Sequence, residues 1–505
     1  MSVDTEMYSD TEGLGNKNFR RNVLKGVKWT SLSAFVSVIC RLGQITVLTR
    51  FLDKSEFGLV AIALLFISFT DIFLDMGISS AVLHRQNITR NQYSSLFWLN
   101  IFSGIVIFSL IVVFTPFIAA YYEQECLNTL LPMLAVTILF SSISRLQRTY
   151  QQKMLNFGFI CRVEMIGSVS MLVASIVLAV YGFGIFSLVY STLLNAFIVT
   201  VVYFFRAVFV EHFIKFRFRI SEIKPFFQIG IYQMGSSILD FLSNEMDILI
   251  ISSAFSMDIL GVYSLCKQLS QKVYAFINPI ITKVLAPALS VIQQDLELVK
   301  EKYLSTIRLL AFINYPIYFF MAYFSVSVLT VLYGNQYMEY HLILSLLCVN
   351  FSLQSMGNPV GALQIALGRT DLGFFWTIYR IISYGIFIYI GAHFSIYICI
   401  FSILLINVLN ILPGIRFLMY KLIRLSLKEY IEVQIRPVLI CILLLPLVSI
   451  QYSLGEAWLV IAVALPLYSV LYLIFSYVWN RRLLLQLLDP IGKYVKCFQP
   501  DKLSA

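Results

Sequence analysis

Apolar stretches of about 20 residues, recurring along the whole chain between short polar gaps, decide what this sequence can fold into. A helix of that length crosses a ~30 Å hydrocarbon layer, where every backbone polar group must be bonded within its own segment. Fourteen spans can be placed: 27–50, 58–82, 93–118, 127–144, 163–181, 183–205, 226–253, 259–281, 309–333, 342–367, 372–392, 394–415, 437–452 and 458–478. Charged residues are 13% of the 505, about half the share of a soluble domain, and no soluble domain of useful size fits in the gaps. The expected fold is an all-α polytopic membrane protein with two pseudo-symmetric six-helix lobes and two C-terminal helices.

Lysine and arginine test that count. With both termini cytoplasmic, 31 of the 37 fall in the tails, at the start of span 1 and in the cytoplasmic gaps, and only Arg50, at the outer end of span 1, and Lys54 fall on the outer side. This asymmetry is the positive-inside pattern, so the net charge of +10 is topological and points to anionic headgroups, not to nucleic acid. The organisation that follows is a cytoplasmic tail (1–26), a first lobe (27–205), a basic linker (206–225) and a second lobe (226–415). A second linker (416–436), spans 13 and 14 (437–478) and a C-terminal cytoplasmic tail (479–505) complete it. The N-terminal stretch has no apolar core and is not a cleavable signal peptide. An amphipathic surface helix is expected within 283–308, where the Asp295-Leu296-Glu297 triplet is solvated surface, not a metal motif. The eight cysteines form no C-x-x-C pair and lie near no histidine at metal spacing, so neither a disulfide nor a metal nor another cofactor is indicated.

Polar residues inside the spans fall in lines. Gln233, Ser237, Asp240, Asn244 and Asp247 recur at threes and fours on span 7, and Ser264, Lys267, Gln271, Tyr274 and Asn278 do so on span 8, with Lys272 beside them. Span 1 carries Thr30, Ser33, Ser37, Arg41 and Gln44, and span 2 carries Ser68, Asp71, Asp75 and Ser79. Arg41, Asp71, Asp240, Lys267 and Arg380 sit near the centres of their spans, where a charge costs about 2.5 to 3.5 kcal/mol, so a polar interior is expected around them. The expected substrate cavity comprises Arg41, Gln44, Asp71, Asp75, Gln233, Asp240, Asn244, Asp247, Lys267, Gln271, Lys272 and Arg380, with no catalytic residue and no metal ligand. Glu164, Asn350, Gln354 and Asn358 fit either a cavity or helix packing. Cations suit a phosphate or an acidic sugar, and the acids suit coupling to H+ or Na+. Alanine at Arg41 or Lys267 is expected to impair export at unchanged membrane protein level; wild-type export from both variants would remove them from the site. Spans 13 and 14, almost purely apolar, are expected to face lipid.

Two segments repeat weakly, Leu52 to Ala61 between spans 1 and 2 and Phe255 to Ser264 between spans 7 and 8; each has an acid, a glycine and then a valine in one register. This suggests parallel repeats, with binding between them near the midplane.

The motifs L-T-R-F-L-D-K-S-E-F-G-L-V-A (48–61), D-M-G-I-S-S-A-V-L-H-R-Q (75–86) and S-S-L-F-W-L-N (94–100) resemble the polysaccharide-exporter branch of the multidrug/oligosaccharidyl-lipid/polysaccharide flippases, the Wzx-like group. M-D-I-L-I-I (246–251), the turn at 261–264, P-A-L-S (287–290) and G-R-T-D-L (368–372) continue the likeness through span 12. The resemblance implies alternating access and a polyprenyl-diphosphate-linked oligosaccharide repeat unit, carried from the cytoplasmic to the outer leaflet of the bacterial inner membrane for O-antigen, capsule or exopolysaccharide. It also implies a transporter acting as a monomer among membrane lipids, driven by H+, Na+ or membrane potential, with a polymerase and glycosyltransferases as partners. A cation-coupled multidrug exporter is the alternative. A membrane-embedded polymerase or glycosyltransferase fits less well, because the longest outer gap is about eight residues.

Overall fold

The computed structural model describes residues 16–85, 88–211 and 214–488, and every regular element among them is helical. The outermost parts of both expected tails, 1–15 and 489–505, lie outside the described residues, as do Gln86, His212 and Cys497. Eleven helices among the described residues are long and apolar enough to cross a membrane. The chain is therefore an all-α polytopic membrane protein. The other three expected spans, 226–253, 259–281 and 342–367, fall on helices that carry several charges or are interrupted.

Packing divides the helices into two compact units, one ending at Ser264 and the other starting at Leu265. The first contains α1 (Asn16–Leu48), α2 (Lys54–Asp75), α3 (Ile78–His84), α4 (Arg90–Tyr121), α5 (Leu127–Lys153), α6 (Phe157–Val180) and α7 (Phe186–Phe205). A π-helical turn (Arg206–Val210), α8 (Ile220–Ala254) and the first turns of α9 (Met257–Val291) complete it. Its main packed pairs are α4 with α5, α1 with α6, and α7 with both α5 and α6.

Local chemistry sets the helix ends. The Asp53 amide donates to Glu56 Oε2 (2.9 Å), and Glu56 Oε1 accepts the Ile185 amide (3.1 Å), which ties the start of α2 to the α6–α7 turn. Thr89 and Gln92 cap α4 reciprocally, at 3.1 and 3.2 Å. Two residues further on, the serines of the S-S-L-F-W motif hold the basic linker. Ser94 Oγ accepts the Lys215 amide (2.6 Å), Ser95 Oγ accepts the Arg219 amide (3.2 Å), and Trp98 Nε1 donates to the Lys215 carbonyl (2.9 Å). Along α4 the polarity is inverted relative to a soluble helix: Asn100 and Ser103 are buried, whereas Phe102 and Phe117 are 66% and 69% exposed, as lipid contact requires.

Several expected boundaries move. Span 2 is not continuous to residue 82; it breaks at Met76 and Gly77, both in the left-handed region (φ 44° and 67°). A Cβ on Gly77 would lie 2.3 Å from the Gly230 carbonyl oxygen of α8, so only glycine permits this approach. Span 4 does not end at Ser144, because no helix breaker follows and α5 runs on to Lys153. The surface helix expected within 283–308 is instead the end of α9 and the start of α10 (Leu296–Tyr323). Asp295 of the acidic triplet is the N-cap, its Oδ1 accepting the Leu298 amide at 3.0 Å.

The second unit continues with α11 (Ser325–Tyr333), α12 (His341–Gly357), α13 (Val360–Ala366), α14 (Thr370–Ala392), α15 (Ile396–Leu409) and the later helices Leu427–Leu443 and Ala457–Leu488. Expected span 10 is broken between α12 and α13 at Asn358 and Pro359, where proline cannot donate to the helical ladder. The two late helices are joined to α10 by Tyr315 Oη to Gln434 Oε1 (2.6 Å) and Tyr472 Oη to the Phe312 carbonyl (3.0 Å). Ile431, Ile435 and Leu439 of the first and Trp458, Val470 and Leu473 of the second are exposed, so one side of each faces outward and the other is part of the bundle.

Candidate functional site: the polar hub on α5

The last two turns of α5 read Arg145-Leu146-Gln147-Arg148-Thr149-Tyr150-Gln151-Gln152-Lys153, and their side chains reach α2, α3, α4, α6 and the basic linker. Toward α2, Arg145 Nη2 lies 2.5 Å from Asp71 Oδ1 and Nη1 lies 3.7 Å from Asp75 Oδ1. Asp75 also accepts the Ser79 hydroxyl, and Thr149 Oγ1 donates to Ser79 Oγ at 3.2 Å. Toward α6, Arg148 donates to Glu164 Oε1 through Nη2 (2.6 Å) and Nε (3.2 Å). Toward the linker, Gln147 and Gln151 donate to the two oxygens of Glu211 at 2.5 and 2.6 Å, and Arg206 Nε donates to Glu211 Oε1 at 2.9 Å. Tyr93 Oη donates to Gln147 Oε1 (2.6 Å), and Asn156 Nδ2 donates to Gln151 Oε1 (2.9 Å), so the network runs from α4 to the α5–α6 turn. Lys153 donates to the carbonyls of Val82 and Arg85, closing α3.

Two of the expected cavity residues, Asp71 and Asp75, thus belong to this hub. Asp71 is not central in its span; it lies about one turn from the end of α2, because that helix starts four residues earlier and stops seven earlier than expected. Arg145, which joins the two acids, is missing from the expected set because the expected span 4 stops just before it. A signal for it exists in the sequence: two carboxylates in an apolar span require a counter-cation, and α5 offers one with no proline or glycine intervening.

Span 1's stripe meets α6 and α7. Ser33 Oγ donates to Glu164 Oε2 (3.2 Å), Ser37 and Ser168 hydroxyls are 3.0 Å apart, Arg41 Nη1 is 3.9 Å from Met171 Sδ, and buried Gln44 donates to Ser191 Oγ (3.0 Å). Threes and fours on α1 match those on α6, the register of interhelical packing. Glu164, bonded to Arg148 and Ser33, joins that seam.

On α8, Gln233, Asp240 and Asn244 are exposed and Asp247 is buried. Asn244 Nδ2 donates to the Asp240 carbonyl (2.8 Å), and Asp247 Oδ2 accepts the Tyr263 hydroxyl of α9 (2.5 Å). In the second unit Lys267 is buried, and Gln271, Lys272 and Arg380 are half-buried. There Asn278 donates to the Ser355 carbonyl (2.8 Å) and accepts from Asn314 (2.9 Å), while Asn350 accepts from Asn407 (2.6 Å). Gln354 is half-buried and Asn358 exposed. Among the described residues no group of three or more His, Cys, Asp or Glu side chains is placed to hold a metal ion.

Apolar helices threaded by bonded charges define the class as a multi-pass membrane protein of transporter architecture. The fold is that of the lipid II flippase MurJ in its inward closed conformation, with a TM-score of 0.74 at 14% identity, covering 90% of this chain and 99% of that one. It is shared more loosely with an inward-facing multidrug resistance MATE family transporter of the MOP superfamily, with a TM-score of 0.57, 16% identity, and 76% and 95% coverage. The chain belongs to the polysaccharide biosynthesis protein family, whose model matches residues 47–342. Similar proteins include the teichuronic acid biosynthesis protein TuaB of Bacillus subtilis (strain 168), 28% identical over 83% of this chain and 87% of TuaB. The lipopolysaccharide biosynthesis protein WzxC of Escherichia coli (strain K12) is 25% identical over 87% of this chain and 88% of its own length. The family drawn from the motifs is therefore the right one.

Proposed function

We propose that this protein is a flippase that carries a polyprenyl-diphosphate-linked oligosaccharide from the cytoplasmic to the outer leaflet of the bacterial inner membrane, for a surface polysaccharide. It is a transporter, not an enzyme. The observation that carries the reading is the acid–arginine cluster of Asp71, Asp75 and Arg145, set in an apolar bundle with the fold of a lipid II flippase. A headgroup of sugars and phosphates needs such groups to replace its water, while its hydrocarbon tail needs none. Relatives named for teichuronic acid and lipopolysaccharide biosynthesis support a saccharide cargo. The lysine and arginine distribution supports cytoplasmic termini, which puts the α5 hub at the cytoplasmic end. Coupling to H+, Na+ or membrane potential, and work beside a polymerase and glycosyltransferases, belong to the same proposal.

Disruption of the gene is expected to remove the surface polysaccharide and to accumulate lipid-linked repeat units at the cytoplasmic face. Proteoliposomes containing the purified protein are expected to expose a fluorescent lipid-linked repeat unit to an impermeant quencher. Unchanged polysaccharide in the disrupted strain, together with increased drug sensitivity, would instead indicate the multidrug activity.

A further inference from the structure

Two pockets outside the acid–arginine cluster adjoin at the α5–α6 turn. Leu155 and Phe157 line both, and Leu155 holds the turn in the left-handed region at φ 55°. The first, of about 420 Å³, places Trp29, Tyr150 and Phe157 around Asn156, Arg206 and Glu211. The second, of about 370 Å³, places His84, Arg85 and Lys153 against the same wall.

Their chemistries differ. Aromatic faces accept the C–H faces of a pyranose, and an amide, a carboxylate and a guanidinium supply both donors and acceptors for hydroxyls. The polar members are held in place by the bonded chain from Tyr93 through Gln147, Glu211 and Gln151 to Asn156, and the π-helical turn sets Arg206 beside Glu211. The second pocket is cationic. Arg145, Arg148, Arg206 and Arg217 are each paired with a carboxylate. Lys153, by contrast, donates to two carbonyls, which leaves one of its three N–H donors, and Arg85 stacks 4.9 Å above the Phe226 ring, which leaves its guanidinium edge. Those two charges retain the capacity to bind phosphate oxygens.

We propose that this pair of pockets is the cytoplasmic recognition site for a sugar linked through diphosphate to a membrane lipid, with the diphosphate at Lys153 and Arg85 and the first sugar against Trp29 and Phe157. The inference rests on the flippase reading and gives it a loading site separate from Asp71 and Arg145. An anionic phospholipid headgroup would share the phosphate chemistry but would make no use of the aromatic pocket.

The test is equilibrium binding to the full chain in phosphatidylcholine nanodiscs, with farnesyl diphosphate and farnesyl-diphosphate-linked N-acetylglucosamine as probes. Lys153→Gln is expected to weaken both about tenfold, the size of one lost charge-assisted hydrogen bond, and Lys153→Arg to retain them. Trp29→Ala is expected to weaken only the glycosylated probe. The site is overturned if Lys153→Gln binds as wild type, if Trp29→Ala weakens both probes equally, or if phosphatidylglycerol displaces the glycosylated probe as well as unlabelled probe does. Flipping assays on the same protein variants, reconstituted in sealed proteoliposomes, separate the two readings. Binding with this pattern but no translocation by wild type would count against the flippase, whereas translocation with binding indifferent to these variants would count against the site alone.

Discussion

Arg145→Gln is expected to reduce flipping of the lipid-linked repeat unit to background and to lower the unfolding midpoint in detergent. The Arg145 side chain is 23% exposed and its guanidinium bridges Asp71 and Asp75, whose side chains are 43% and 23% exposed. Removing one partner of a fully buried pair costs about 3–5 kcal/mol, because the other charge is stranded. Partial exposure screens the carboxylates here, so the stability loss is expected at about 1–3 kcal/mol. Two acids share one arginine, so Asp71→Asn alone still leaves Asp75 paired and is expected to be milder. The double variant Arg145→Gln/Asp71→Asn should recover part of the stability, with a coupling of about 0.5–3 kcal/mol, but not the flipping. Wild-type flipping by Arg145→Gln at normal protein level would remove the cluster from the transport route.

The sequence made the polytopic class legible because lipid permits few backbone solutions, and a run of apolar residues names one of them. It was weaker on what a polar stripe faces. The spacing of Ser33, Ser37, Arg41 and Gln44 correctly put them on one side of a helix, but spacing says nothing about the partner, and that side meets Ser168, Met171 and Ser191. The same limit hid the α5 hub. Its arginines and glutamines read as a cytoplasmic gap when taken alone, yet four of them find partners distant in sequence: Asp71 for Arg145, Glu164 for Arg148, and Glu211 for Gln147 and Gln151. Asp71 and Asp75 were recognisable because carboxylates in an otherwise apolar span are costly wherever they point, although the helix ends sooner than its apolar run and leaves both in its last turns. The serines of the S-S-L-F-W motif carried the family resemblance, but their local task of pinning the linker at Lys215 and Arg219 depends on a loop more than a hundred residues away.

The repeated turns give the other large effect. Gly58 and Gly261 occupy the same register in two similar segments, and the structure brings those segments together: a Cβ on Gly261 would lie 1.9 Å from the Lys54 carbonyl oxygen, and one on Gly58 would lie 2.2 Å from that of Met257. Both obstructions are backbone atoms, so no side-chain rotation can relieve them, and α2 and α9 must separate to admit even a methyl group. Gly261→Ala and Gly58→Ala are each expected to lower stability by about 1–3 kcal/mol and to stop flipping. In an ordinary helix the same replacement is favourable by about 0.5–1 kcal/mol, which supplies an internal control. A methyl group added at Gly235 on α8 would meet nothing within 4 Å, so Gly235→Ala is expected to leave flipping unchanged and the unfolding midpoint equal or higher. If flipping requires these two helix starts to close upon one another in each cycle, thiol-specific crosslinking of Lys54→Cys to Met257→Cys should be efficient in the parent and fall at least several-fold in the Gly261→Ala background. Reduced crosslinking with unchanged flipping in the Gly261→Ala background would show that the close approach is dispensable, and equal crosslinking would show that the added methyl group does not separate the two helices.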